Sequence, residues 1–402
     1  MTIAKGVNKR VGYKKETTWG TAAGASGAKV LRRVTANFNL AKETYESNEI
    51  RTDMQVADLR HGIRSVAGTL NGELSPGSYS DFFQSVVARD FTAVTAISGL
   101  SVTIATSGTL FTVTRATGSW LTDGVTVGAV VVLTGAGLNI ANQSNNLLVV
   151  SMTALALTVK VLSSTPLVAE GPIATVTATI PGKVTYAPLT GHTDDSYTIE
   201  EWYSDIAQSE VYIGNKVGSI AVQLPTSGLV SADISFQGKD RNPKATTAYF
   251  TSPTAANTNG IFASVSGAMV VNGVPVALIT SADFTIERAI EAANVVGSNV
   301  SADMFTGRIR VNGNFSTYFL DGVFRDYFDD ETPISLVIAL STGSEKNASV
   351  MSFTIPKIKI GSADKADAEL GIVQSHSFVG LLNPTTTAGL AGTTIQIFDS
   401  TL

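Results

Sequence analysis

The chain has 402 residues, a formal net charge of −5, 44% hydrophobic and 15% charged residues, 36 glycines and no cysteine. The missing thiols exclude disulfide staples, thiolate metal sites and cysteine nucleophiles, and a three-histidine metal site would need His61, His192 and His376, the only histidines, to converge. The acidic balance argues against tight nucleic-acid binding, which needs a basic surface, and no apolar run reaches the roughly eighteen residues of a spanning helix.

Residues 1–30 are expected to form an amino-terminal arm, without the apolar core of a secretory signal, in which Tyr13 and Trp19 are candidate contact residues. Gly20–Lys29 is rich in Gly and Ala but lacks the spacing of a phosphate-binding loop. A first domain is expected over 31–91 and 191–240. It opens on Thr35–Leu40 (TANFNL), followed by Lys42–Arg64, the densest charge cluster in the chain. Leu70, Gly72 and Leu74 then alternate with Thr69, Asn71 and Glu73, the period of a half-buried strand. Ser75-Pro76-Gly77-Ser78 breaks it, with Ser78 as expected N-cap and Asp81 in the first helical turn. Tyr79, Phe82, Phe83, Val86 and Val87 make a helical apolar stripe.

Between Thr92 and Thr190 only Arg115, Asp123, Lys160, Glu170 and Lys183 are charged, and LFTVTR, VGAVVVL, LLVVSM, LALTVKVL and IATVTATI read as strands. This segment, 92–190, is expected to be an inserted all-β domain. Strands are then expected over Tyr197–Tyr203, Lys216–Leu224 and Leu229–Gly238, before a linker over 241–260 rich in Pro, Thr, Asn and Ala.

A second domain, 261–382, repeats the first. Val66–Phe83 (VAGTLNGELSPGSYSDFF) aligns without a gap on Val311–Phe328 (VNGNFSTYFLDGVFRDYF), 245 residues later. Val66/Val311, Gly68/Gly313, Gly77/Gly322, Asp81/Asp326 and Phe83/Phe328 are identical, and TANFNL matches Ser281–Ile286 (SADFTI) at a spacing of 246. Ile334–Leu340, Val350–Ile360 and Ala368–Gly380 are the expected closing strands, and 383–402 a carboxy-terminal arm ending in the strand candidate Ile395–Phe398. The fold class is therefore mainly β: two tandem sandwich units, each with one short flanking helix, plus a small all-β insert.

No catalytic, metal or cofactor residue is assigned. Asp194-Asp195 and Asp329-Asp330-Glu331 read as solvated turns, and Glu200-Glu201 fall on opposite faces of one strand. No G-x-S-x-G elbow occurs, and Trp19, Trp120 and Trp202 are too scattered to form a stacking platform. The two mixed-charge loops, one in each unit, suit contacts between stacked subunits. The candidates are Glu43, Glu46, Glu49, Arg51, Asp53 and Arg60 in the first, and Arg288, Glu291 and Arg308 in the second.

GVNKRVGYKKETTWGTAAG, SNEIRTDMQVADLRHGIRSVAGTLNGELSPGSYSDFFQSVV and YTIEEWYSDIAQSEVYIGNKVGSIAVQLPTSGLVSADISFQGKD resemble the tail tube (major tail) proteins of long-tailed, non-contractile bacteriophages. The resemblance implies a β-sandwich with one flanking helix. It implies rings of six such units whose inner strands form a continuous barrel, and stacked rings that conduct DNA without specific binding. With two units per chain, three chains would make a pseudo-sixfold ring. The insert would decorate the tube exterior, and Glu73, Glu200 and Asp205 are candidate lumen-facing acids. Expected partners are the chain itself and the tape measure, tail terminator and baseplate or tip proteins, with no membrane and no cofactor. The expected location is the virion tail, after synthesis in the host cytoplasm. A capsid decoration, adhesin or carbohydrate-binding tail protein is the competing reading.

Overall fold

The computed structural model describes residues 3–366, 369, 371–386 and 388–402. Unit one opens with β1 (Lys9–Lys15), β2 (Lys29–Val30), β3 (Thr35–Glu46) and β4 (Leu59–Glu73), followed by helix α1 (Ser80–Val87). The insert supplies β5 (Thr92–Ala93), β6 (Ile97–Ser107), β7 (Leu110–Arg115), β8 (Val130–Thr134), β9 (Leu147–Met152), β10 (Ala156–Val161), β11 (Glu170–Thr179) and β12 (Lys183–Tyr186). Unit one closes with β13 (Tyr197–Tyr203), β14 (Gln208–Leu224), β15 (Ser231–Gly238) and β16 (Asp240–Arg241). Unit two comprises β17 (Gly267–Val271), β18 (Val274–Val276), β19 (Ile279–Ala293), β20 (Asp303–Tyr318), helix α2 (Val323–Asp329), β21 (Ile334–Ser341), β22 (Val350–Ile360), β23 (Asp364–Lys365) and β24 (Val373–Gly380), and β25 (Gln396–Asp399) ends the chain. The expected start of the last unit-two strand at Ala368 lies outside the described residues.

The two units are fused edge to edge. In unit one β3 pairs β4, β4 pairs β15, and β15 pairs the second half of β14, all antiparallel. The other edge of β14 pairs β19, with Ile220 opposite Ile286 and Val222 opposite Phe284. From β19 the same sheet runs through β20 to β24 and then to β22 and β23. The first half of β14 bends into a second layer with β13 and β1, as the first half of β22 does with β21, itself paired to β17. Each unit is thus a two-layer sandwich in which one long strand serves both layers.

The period-two alternation read from β4 is the alternation observed. Val66, Gly68, Leu70 and Gly72 are buried, while Ser65, Ala67 and Thr69 are exposed. The repeated glycine has a steric cause, because a Cβ on Gly68 would stand 2.2 Å from the Phe38 ring and one on Gly313 2.6 Å from Phe378. One apolar core fills both units. Tyr13, Phe82 and Phe236 pack at the unit-one end, while Phe353 touches both Phe83 and Phe284 across the fusion, with centroids at 5.6 and 4.8 Å.

The helices depart from strict repetition. Phe82, Phe83, Val86 and Val87 of α1 are buried, whereas no residue of α2 is. Tyr13 from β1 and Phe353 from unit two lie against α1; α2 packs mainly on β22 and leaves Phe328 39% exposed. Ser78 is not the cap expected of it. Tyr79 precedes the helix without a side-chain cap, and the Ser78 hydroxyl is engaged by Ser75 and Asn257.

Three segments expected to stand apart are structural. The supposed amino-terminal arm supplies β1, in register with β13 from Lys9↔Tyr203 to Lys15↔Tyr197. The supposed linker buries Phe250 and donates the Tyr249 and Phe250 amides to Glu200. In the supposed carboxy-terminal arm, β25 is clamped between β12 and β22. Polar composition suggested free segments, but each one covers a sheet face or edge that would otherwise be open.

The insert forms a closed six-stranded barrel, ordered β10-β7-β6-β11-β8-β9. Although it leaves unit one between α1 and β13, its core merges with Val270, Val337, Ala339 and Val350 of unit two. Gly128, at φ +85°, allows the close approach, since a Cβ there would meet the Thr354 hydroxyl. Asn146 and Lys346 add hydrogen bonds across the same seam.

Candidate assembly surface

The two charged loops are the ends of β-hairpins. β3 and β4 remain paired out to Glu46↔Leu59, and β19 and β20 out to Ala293↔Asp303, so each unit projects an arm well beyond its sandwich. The arms touch, the Arg64 amide donating to the Asn299 carbonyl at 2.8 Å. In the first arm Arg51 forks onto Asp53, which holds that carboxyl below its ordinary range, and Arg60 pairs Asp58 at 2.9 Å. Glu43 accepts from Tyr45, while Glu46, Glu49, Glu291 and Arg308 are exposed. Between these charges stand Ile50, Met54, Val56, Val296 and Phe305, all exposed apolar side chains. Charge alone does not mark them; their signal in the sequence is the interleaving of Ile50, Met54 and Val56 with Arg51, Asp53 and Asp58.

Arg288 does not belong to this exposed set. It is 7% exposed and donates to the Ser85 and Thr193 carbonyls and the Thr306 hydroxyl, with Asp194 at 3.7 Å. Burial pulls its pKa down, and the charges of Asp194 and Asp195 oppose the shift. It ties the arm of unit two to the last turn of α1. Tyr13 and Trp19 are likewise engaged within the chain, Tyr13 donating to Asp81 at 2.8 Å and Trp19 to the Gly214 carbonyl at 3.1 Å.

The fused sheet has one face in the core and one turned away from it. The outward face of β4, β15, β14, β19, β20 and β24 carries Ala67, Thr69, Asn71, Ser231, Asp233, Ser235, Gln223, Asp283, Thr285, Asn314, Ser316 and Ser375. Asn71 donates to Asp233 at 2.6 Å and Asn314 to Asp283 at 3.1 Å, and the Ser316 and Ser375 hydroxyls meet at 3.1 Å. Glu73 ends this face opposite Ser231. Glu200 is not on it. It is fully buried in β13, held by Ser209, the Tyr249 and Phe250 amides and Arg10. A carboxylate spent on four donors cannot also line a channel. Asp205 lies in the β13–β14 turn, where the Lys5 amide at 2.6 Å and Asn8 hold its pKa down. Asp233 and Asp283, the acids the sheet does turn outward, were legible only as the polar phase of their strands.

Two long edges of this sheet lack strand partners among the described residues: the outer edge of β3 and, at the opposite end, that of residues 359–365 in β22 and β23. Among the same residues no three His, Cys, Asp or Glu side chains gather as a metal site, and no helix is long and apolar enough to cross a membrane.

The chain is thus a duplicated β-sandwich with two open edges and two projecting arms, the architecture of a structural subunit rather than of a catalytic pocket. The family model described as phage tail tube protein matches residues 6–373, through both arms and both helices, and the chain belongs to that family. No curated protein matches it. The family is a structural one of the phage tail.

Proposed function

We propose that the chain polymerises into rings of three copies with pseudo-sixfold symmetry, which stack into the tube of a non-contractile phage tail and let DNA through during ejection. The supporting observation is the β14–β19 fusion, which makes eight long strands from two units and leaves complementary edges at the two ends. Three copies closing edge to edge would cover both of these open edges, the usual escape from uncontrolled strand pairing. The two arms per chain suit ring-to-ring contacts, with apolar tips giving adhesion and flanking charges giving register.

The role is mechanical and needs no catalysis. DNA in a lumen must slide, so a wall made mostly of hydroxyls, amides and carboxylates, with Arg310 set opposite Glu287 towards the arms, limits the phosphate contacts that dominate affinity. The barrel insert lies outside the fused sheet, on the unit-two layer, and faces the tube exterior. Tape measure, terminator and tip proteins would meet the tube at its ends, after synthesis in the host cytoplasm. Electron microscopy of purified protein tests this reading: trimeric rings or tubes are expected, and isolated monomers at all concentrations would overturn it.

A further inference from the structure

The internal fusion specifies what the open edges should do, because each strand at the fusion has a counterpart at an edge. β3 corresponds to β19, Ala36 to Ala282 and Phe38 to Phe284, a spacing of 246. The Ser219 and Ser235 hydroxyls meet at 2.7 Å in unit one and those of Ser362 and Ser377 at 2.9 Å in unit two. This shared pair sets the second half of β14 against residues 359–365. In the fusion Ser219 faces Glu287, Ala221 faces Thr285 and Gln223 faces Asp283. The counterparts are Ser362 with Ala41, Asp364 with Asn39, and Ala366 with Asn37. Resting on the ring reading above, we propose that a second copy of this chain docks its β3 antiparallel on residues 362–366 in this register, Asn39 opposite Asp364.

A second observation points the same way. Arg288 sits at the irregularity of β19 and reaches the Ser85 carbonyl at the end of α1. Its counterpart at the same irregularity of β3 is Lys42, which is exposed and has no partner among the described residues. The counterpart of Ser85 is Asp330, exposed at the end of α2 between Asp329, which lies 3.6 Å from Arg325, and Glu331, which pairs Lys359 at 2.7 Å. A cation suits that position twice, beside the Asp330 carboxylate and at the negative end of a helix. Phe328 completes the correspondence, being 39% exposed where its counterpart Phe83 is buried against the neighbouring unit. The next copy's Lys42 therefore occupies at the open edge the place Arg288 occupies at the closed one, and its strand covers the side of α2 that carries Phe328.

Because the chain has no native cysteine, engineered thiols report the register directly. Under mild oxidation Asn39→Cys with Asp364→Cys should link copy to copy in a ladder that ends at a closed trimer. The equivalent internal pair, Ala221→Cys with Thr285→Cys, should link within one chain and serves as the geometric control. Asn39→Cys with Ala366→Cys is displaced by about 7 Å along the strand and should not link. Lys42→Glu should raise the concentration needed for rings by about tenfold with an unchanged monomer melting curve, and adding Asp330→Lys should restore assembly. Rings that link through the displaced pair, or not at all while the internal control links, overturn the register and leave the ring reading standing. Ring formation undisturbed by Lys42→Glu overturns the Lys42 contact. No rings and no links in any variant overturn both readings together.

Discussion

Phe83, in the helix of unit one, and Phe353, in a strand of unit two, stand with ring centroids 5.6 Å apart and interplanar angle 52°. Both are fully buried, so the helix of the first unit is finished by the second. Removing the Phe83 ring leaves a cavity at the fusion, and Phe83→Ala should cost about 3–5 kcal/mol of unfolding free energy. Phe328→Ala, at the equivalent position of the exposed helix, should cost about 1 kcal/mol or less in the monomer. Chemical denaturation of the two variants checks the contrast; equal losses would mean that the units do not share one core.

His376 predicts a pH dependence. It is fully buried between Phe315 and Phe324, with centroids 4.9 and 4.7 Å away, and neither ring nitrogen finds a hydrogen-bond partner. Desolvation pulls its pKa down to about 4, opposed by the nearby Ser362 backbone and the Asp364 charge. A depressed folded-state pKa means the unfolded chain takes up the proton first. The contribution is complete above the unfolded value of about 6.5 and is lost as pH falls towards 4, on the order of 2–3 kcal/mol in all. Ile234 holds the equivalent place in unit one, where β15 faces Leu70 as His376 faces Phe315. His376→Ile should flatten the stability profile between pH 6.5 and about 4, as read by chemical denaturation at a series of pH values. A profile unchanged by the substitution would assign the acid sensitivity to other groups.

What was legible in the sequence was whatever depends on neighbours in sequence. The helix stripe of α1, the alternation of β4, and the span of β13 from Tyr197 to Tyr203 are local patterns, and they stand as read. The repeat was legible because both copies keep a glycine where a ring from a neighbouring strand lies on the sheet, Phe38 on Gly68 and Phe378 on Gly313. Glu200 and Arg288 were misplaced because their partners are distant: Glu200 is satisfied by Arg10 and the Tyr249 amide, Arg288 by Ser85 and Thr193. Charge on a strand suggests solvent until the donors that bury it are known. KRVGYKK reads as an arm rather than a strand for a related reason. Its lysines stay near the surface along paths that composition does not reveal, Lys9 reaching Glu201 at 2.7 Å and Lys15 reaching Asp195 at 2.8 Å.

The arm tips separate ring formation from ring stacking. Ile50 and Val296 are fully exposed and touch no core, so replacing them with Ser should change monomer stability by no more than about 0.5 kcal/mol. Exposed apolar side chains rimmed by charge are nevertheless the usual chemistry of a contact between proteins. Ile50→Ser with Val296→Ser should leave rings intact and abolish long tubes in negative-stain images. Tubes of normal length from the double variant would move the stacking contact away from the arms.

The outward face of the fused sheet makes the last test, because it asks what DNA would feel there. Asp233 accepts from Asn71 and Gln223, and Asp283 from Asn314, so both carboxylates are tied down as part of a polar ladder. Asp233→Arg would put a guanidinium at the same point in every copy of every ring. Each phosphate contact releases counterions, so such binding weakens steeply as salt rises. Phage carrying Asp233→Arg should build tails of normal length but eject DNA about tenfold more slowly at low salt, recovering as salt is added. Asp233→Asn preserves the side-chain shape without introducing a positive charge and should eject at the ordinary rate. Dye-uptake kinetics at two ionic strengths would read both variants. An Asp233→Arg phage whose ejection is as fast at low salt as the parent's would show that this face does not line the DNA path. An equal slowing at both salts would point to altered packing of the wall rather than to charge.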